Sequence, residues 1–117
     1  MSESGLTERL ERLTGEEGSC CLPGYRELAQ KVRRSRAFPV ALRRAKALAD
    51  TNRLLAVSLL KRRGELCGCE IQAATGLTHA TVSHHMSVLE RSGWVRSRRE
   101  GKWSYYRLTG APEMEVP

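Results

Sequence analysis

The stretch CEIQAATGLTHATVSHHMSVLERSG, Cys69 to Gly93, decides how the chain folds. It reads as two helices interrupted at Gly76. The first runs from about Cys69 to Thr75 and stops at that glycine. Thr78 is suited to start the second, because its hydroxyl can accept a bond from a backbone N–H that the helix leaves unpaired. That helix spans His79 to Arg91, with Gly93 just past its end, and Val82, Met86 and Leu89 mark its inner side at helical spacing. Two short helices joined by a three-residue turn, the second opening on Thr, Ser and His, form a helix-turn-helix pattern.

The flanking segments complete a domain. Residues 94–99 and 102–108 are rich in Val, Trp and Tyr, and Glu100-Gly101 between them suits a two-residue hairpin turn. A hairpin after the second helix is a wing. Trp94, Trp103, Tyr105 and Tyr106 offer faces for stacking on bases, but in a small domain aromatics mostly fill the core beneath such a hairpin. Upstream, Pro39 fits the first turn of a helix whose Leu42, Ala45, Leu48 and Ala49 give one apolar stripe. Asp50 or Thr51 can cap the next helix, where Leu54, Leu55, Val57, Leu59 and Leu60 require a central place in the core, and Gly64 ends it.

The N-terminal third is more polar. Leu6, Leu10 and Leu13 define a short amphipathic helix over 6–14, ending at Gly15. Cys20-Cys21-Leu22-Pro23-Gly24 reads as a turn, since Pro then Gly suits a type II bend, and Tyr25, Leu28, Ala29 and Val32 suggest a second short helix. The expected organisation is therefore an N-terminal extension over 1–37, a winged helix-turn-helix domain over 38–108, and a short tail over 109–117. The fold class is mainly α with a small β-hairpin.

Charge points to the partner. The 117 residues carry a formal net charge of +7, which favours an anionic partner, nucleic acid before an acidic membrane surface. Residues 31–49 hold seven Lys/Arg and no acid, and residues 91–107 hold six against Glu100 alone. The first run also suits a plain solvated face; the second falls on the aromatic-bearing hairpin. In a helix-turn-helix the second helix enters the major groove of double-stranded DNA by its N-terminal end. Thr78, His79, Thr81, Ser83 and His84 point away from the inner stripe and are the candidate readers. Arg96, Arg98, Arg99 and Lys102 on the wing would follow the phosphate backbone or minor groove.

No apolar run approaches the roughly 20 residues of a membrane span and no signal-peptide pattern opens the chain, so a cytoplasmic protein with no membrane contact is expected. In that compartment disulfides seldom persist, and the four cysteines are expected as reduced ligands or sensors. Cys67-Gly68-Cys69 lies at the start of the supporting helix. Positions two apart within a helix diverge. With Cys67 before the helix and Cys69 in its first turn, the two sulfurs can converge, and Gly68 permits the bend. Thiolates suit soft ions. A lone C-x-C also fits two buried structural cysteines. No Gly-rich phosphate loop, suggestive carboxylate pair or Cys/His/Asn arrangement appears, so an enzyme is not expected.

The segments Gly64-Glu65-Leu66-Cys67-Gly68-Cys69-Glu70-Ile71, Thr81-Val82-Ser83-His84-His85-Met86 and Gly101-Lys102-Trp103-Ser104-Tyr105-Tyr106-Arg107-Leu108 resemble the ArsR/SmtB family of metal-responsive repressors over roughly residues 39–108. His85 precedes Met86 as His precedes an aliphatic residue in the family's Ser-x-His-Leu pattern, and a packing role is expected for it. The resemblance implies a homodimer that represses an operon and releases its operator on binding a thiophilic ion: Cd(II), Pb(II), Zn(II) or As(III). It also implies that Cys20 and Cys21 join Cys67 and Cys69 as ligands. The chain departs from the family's arsenite pattern in having Gln72 where a third cysteine often stands, and its N-terminal cysteines are adjacent. The family's second metal site looks absent, since the tail offers only Glu113 and Glu115. A thiol redox or persulfide switch on the same cysteines, without metal, is the alternative.

Overall fold

The computed structural model describes residues 3–15, 18–110 and 116–117. The chain divides into two compact units, Met1–Pro39 and Val40–Pro117. In the first, helices α1 (Glu3–Thr14) and α2 (Gly18–Arg34) pack on each other. The expected helix over 6–14 is present and slightly longer, with Gly15 beyond its end at φ +72°. The expected turn at Cys20 to Gly24 is not formed. Instead one continuous helix carries Pro23 inside it. Pro23 sits within the first two turns, where a missing N–H removes one backbone bond, and the helix-forming residues that follow carry the helix onward.

Helix α3 (Ala37–Leu48) runs from the first unit into the second and holds Pro39 in its first turn. Its buried pair is Ala47 and Leu48, while Leu42 stays exposed, so the stripe expected from Leu42 to Ala49 is buried only at its end. Asp50 caps α4 (Thr51–Arg63), accepting from the Asn52 and Arg53 amides at 3.0 Å each. Ala56, Val57 and Leu60 of α4 are buried, and Leu54 and Leu55 are exposed. Gly64 ends the helix at φ +85°, a conformation in which a side chain is strained.

Next come β1 (Glu65–Cys67), α5 (Gly68–Thr75), α6 (His79–Arg91), β2 (Val95–Glu100) and β3 (Trp103–Leu108). Gly76 closes α5 in the left-handed region, and Thr78 caps α6 by accepting from the Thr81 amide. Val82, Met86 and Leu89 join Val57, Leu60 and Ile71 in the core, each with at most 3% of its surface exposed. Full burial of such side chains is worth roughly 1.5–3 kcal/mol each. The helix-turn-helix and the antiparallel wing stand as expected.

Two features of the sheet differ from the sequence reading. The strand β1 was not expected; it pairs antiparallel with β3 and gives the order β1-β3-β2. The hairpin turn is Gly101-Lys102, one residue later than expected, because Glu100 pairs with Trp103. Only Gly101 of the turn has positive φ, at +61°, as a two-residue turn with Gly first requires. In the tail, Val116 is buried in the core and its carbonyl accepts from Lys61 Nζ at 2.5 Å. Glu113 and Glu115 lie outside the described residues. Among the described residues no helix is long and apolar enough to cross a membrane.

Candidate thiol site and nucleic-acid interface

Cys67 is both the last residue of β1 and the N-cap of α5, with extended backbone at φ −82° and ψ 159°. Its amide donates to Glu70 Oε1 at 2.9 Å, which fixes the bend between strand and helix. Two residues on, Cys69 lies in the first turn of the helix. The bend brings the Cα atoms within 5.4 Å, and the two sulfurs are joined as a disulfide. The expected convergence is met. The expectation of reduced thiols is not met at this pair, since strand and helix start deliver both sulfurs to one point. Cys67 is 4% exposed, and Cys69 is open to solvent.

The donor chemistry fits a soft ion in part. Once reduced, two sulfurs close enough to bond each other can bind one ion together. Among the described residues no group of three or more His, Cys, Asp or Glu side chains is gathered for a metal. Cys20 and Cys21 fall on the backbone of α2, but their side chains lie outside the described residues.

The cap and first two turns of α6 carry the candidate readers. Thr78, His79, Ser83 and His84 are exposed and Thr81 is half-buried. The Thr78 and Thr81 hydroxyls lie 2.9 Å apart, so these two are partly committed to the cap. His85 is half-buried, and its Nδ1 lies 3.1 Å from an Arg53 guanidinium nitrogen, which can only donate. Arg53 Nε donates in turn to the Ala47 carbonyl at 2.6 Å. His85 thus packs and is satisfied, as its place beside the inner stripe implies.

On the wing, Arg96, Arg98, Arg99 and Lys102 are all exposed, but they are not equivalent. Arg98 donates to Glu65 of β1 at 2.7 and 3.1 Å and to Glu100 at 2.8 Å, and lies over the Tyr105 ring at 4.5 Å. The Arg98 hydrogen bonds, with its charge and that of Arg107, hold the Glu65 carboxyl below its ordinary range. Arg96 stands directly opposite Arg107, a like-charged pair that is unfavourable until an anion arrives. Arg107 was not singled out from sequence. Its signal was the strand register, which the misplaced turn concealed.

The aromatics divide. Trp94 and Tyr106 are buried, and Trp94 Nε1 donates to the Arg44 carbonyl at 2.9 Å, with the Arg44 guanidinium 4.4 Å from its ring. Tyr105 is half-buried. Trp103 is 47% exposed, against the expected core role, because the shifted turn places it at the tip of the wing beside Lys102.

Comparison with known proteins agrees with this geometry. The pattern defining "Bacterial regulatory protein, arsR family" matches residues 50–97. The putative arsenical resistance operon repressor of Halobacterium salinarum is 33% identical, covering 88% of this chain and 86% of its own length. The chain belongs to the arsR family. The arsenical resistance operon repressor of Escherichia coli is 38% identical over 73 residues, 62% of each chain. A cadmium resistance regulatory protein homologue of Staphylococcus aureus is 40% identical over 54% of this chain. This chain thus spans about half to three fifths of the length of those two regulators. The homodimeric winged helix-turn-helix domain of a possible ArsR-family regulator from Mycobacterium bovis matches with a TM-score of 0.61 at 37% identity, covering 67% of this chain and 71% of that one. This arsR-family chain is accordingly a winged helix-turn-helix transcriptional regulator.

Proposed function

We propose that this arsR-family regulator is a cytoplasmic homodimeric repressor that holds operator DNA until a thiophilic ion binds its cysteine thiolates. The observation that carries the reading is the position of Cys67. It ends the strand paired to the wing and caps the helix packed behind the reading helix. An ion drawing on Cys67 and Cys69 therefore pulls on both parts of the DNA-binding surface. Thr78, His79, Thr81, Ser83 and His84 face the major groove in this reading, and Arg96, Arg99 and Lys102 face phosphate. Arg98 takes a different role: its bond to Glu65 makes it the clamp between wing and β1. Arsenite and Cd(II) head the candidate ions because relatives named for arsenic and cadmium resistance share the domain; Pb(II) and Zn(II) share the thiolate chemistry. Cys20 and Cys21 are the proposed further ligands.

A coupling of about 1–3 kcal/mol, usual for linked sites, weakens DNA about 5- to 150-fold. Replacing both Cys67→Ser and Cys69→Ser should leave operator binding by the reduced protein intact and abolish release by Cd(II) or arsenite. Release that persists in the double variant rejects the thiol site.

The Cys67–Cys69 disulfide supports a second reading, a redox switch without metal. Chelator-treated protein separates the two. Loss of operator affinity on oxidation alone, reversed by reductant, favours the redox reading; ion-induced release in the presence of reductant favours the first.

A further inference from the structure

A cleft of about 200 Å³ lies between the start of α5, the first turn of α6 and the inner face of the wing, with Cys69 in its wall. Strand alternation puts Arg99 on the same face of the wing as Ser104 and Tyr106, so Arg99 lines the cleft while its neighbours Arg98 and Glu100 do not. His79 and Ser83 line it from α6, and Trp103 from the wing tip. The described lining residues carry a guanidinium, an imidazole, an amide and three hydroxyls, and no carboxylate. The cleft thus favours a small anionic group set beside a sulfur.

The disulfide on its wall is asymmetric. Cys67 is enclosed and Cys69 is open. A thiolate attacking a disulfide must reach one sulfur along the line of the bond it breaks, so access selects Cys69. We propose that Cys69 is a site of thiol–disulfide exchange for a low-molecular-weight thiol bearing carboxylates, whose adduct lodges in this cleft. The incoming thiol loses its proton and its sulfur bonds to Cys69 Sγ. The Cys67–Cys69 bond breaks, and Cys67 leaves as the thiolate that takes up a proton from solvent. No other oxidant is needed, since the internal disulfide is the one reduced. The carboxylates of the adduct meet Arg99 and His79. Both are proposed DNA contacts, so a filled cleft competes with the operator. Exchange at Cys69 needs only the disulfide and the cleft, and ion-induced release can fail without touching it.

Two experiments test it. In the first, the full-length disulfide form is mixed with one equivalent of glutathione, quenched in acid and peptide-mapped. The adduct should sit on Cys69; an adduct on Cys67, or none, overturns the assignment. In the second, a Cys20→Ser, Cys21→Ser, Cys67→Ser variant is treated with glutathione disulfide, which is anionic, or cystamine, which is cationic. Glutathione disulfide should react about tenfold faster relative to cystamine than it does after Arg99→Gln is added, because one ion pair is worth about that factor at a partly enclosed site. The glutathione adduct should bind operator at least about tenfold more weakly than the unmodified variant. A rate ratio indifferent to Arg99→Gln, or an adduct that binds operator normally, rejects the cleft as the binding site.

Discussion

At the scale of single residues, the joints between elements rest on short polar contacts that the residue type alone anticipates. Asp50 is one such joint. Its carboxylate accepts from two amides at the start of α4, and replacing such a cap by Ala costs about 1 kcal/mol. The hydrogen bond from the Arg53 amide, with the charge of Arg53, holds the Asp50 carboxyl below its ordinary value despite some desolvation. A carboxyl whose pKa is lower folded than unfolded stabilises the fold above the unfolded value, near pH 4, and loses that contribution as pH falls through the folded value. The urea midpoint of Asp50→Asn should therefore lie below that of the native chain at pH 7, and the gap should close below about pH 4. A gap independent of pH would mean that the ionised cap does not stabilise the fold. Cys67 is the other joint. Cys67 is buried while Cys69 is exposed, although both belong to the same three-residue motif. That difference comes from one sitting on a strand and the other on a helix.

Among elements, the wing shows where sequence reading succeeds and where it stops. The helix-turn-helix was legible because Thr78, Gly76 and the Val82/Met86/Leu89 stripe are strong local signals. β1 was not legible, since three residues carry no periodicity and the strand exists only through pairing with β3, about forty residues away. The turn failed by a single residue. A turn at Glu100-Gly101 would set Arg99 opposite Lys102 and Arg96 opposite Tyr105; the observed turn sets Arg96 opposite Arg107 and sends Trp103 outward. Such a slip moves every cross-strand partner. The helix through Cys20 and Pro23 was missed because Pro-Gly is a strong local turn signal that the flanking helix formers outweigh. The clamp and the phosphate contacts can be told apart by salt. Each phosphate neutralised adds about 0.9 to the slope of log affinity against log salt. Arg96→Gln should lower that slope by about 0.9 for each phosphate that Arg96 neutralises. Arg98→Gln should weaken operator binding with the slope unchanged, and Glu65→Gln should reproduce its effect. A slope that falls in Arg98→Gln would return Arg98 to the phosphate contacts.

For the molecule as a whole, the proposed reading of an operator takes two copies. Within one chain Leu42, Leu54 and Leu55 are 46, 36 and 39% exposed, and Leu54 and Leu55 line a mostly apolar groove that also includes Leu59 and Pro117. The exposed Leu54 and Leu55, gathered at one groove, suit a protein-protein contact. A two-fold dimer of winged helix-turn-helix heads reads two half-sites whose centres lie about one helical turn, or a multiple of it, apart. In the proposed dimer the spacing of the two heads is set by the protein rather than by the DNA. Inserting about five base pairs between the half-sites turns one of them roughly half a turn around the duplex, away from its reading helix. Operator affinity should then fall toward the sequence-independent level set by the +7 charge and steep in salt. The native operator should keep its specific affinity at the same ionic strength. Sedimentation of the free protein should give twice the 13.1 kDa chain mass. Equal binding to native and expanded operators would mean that each head reads DNA independently.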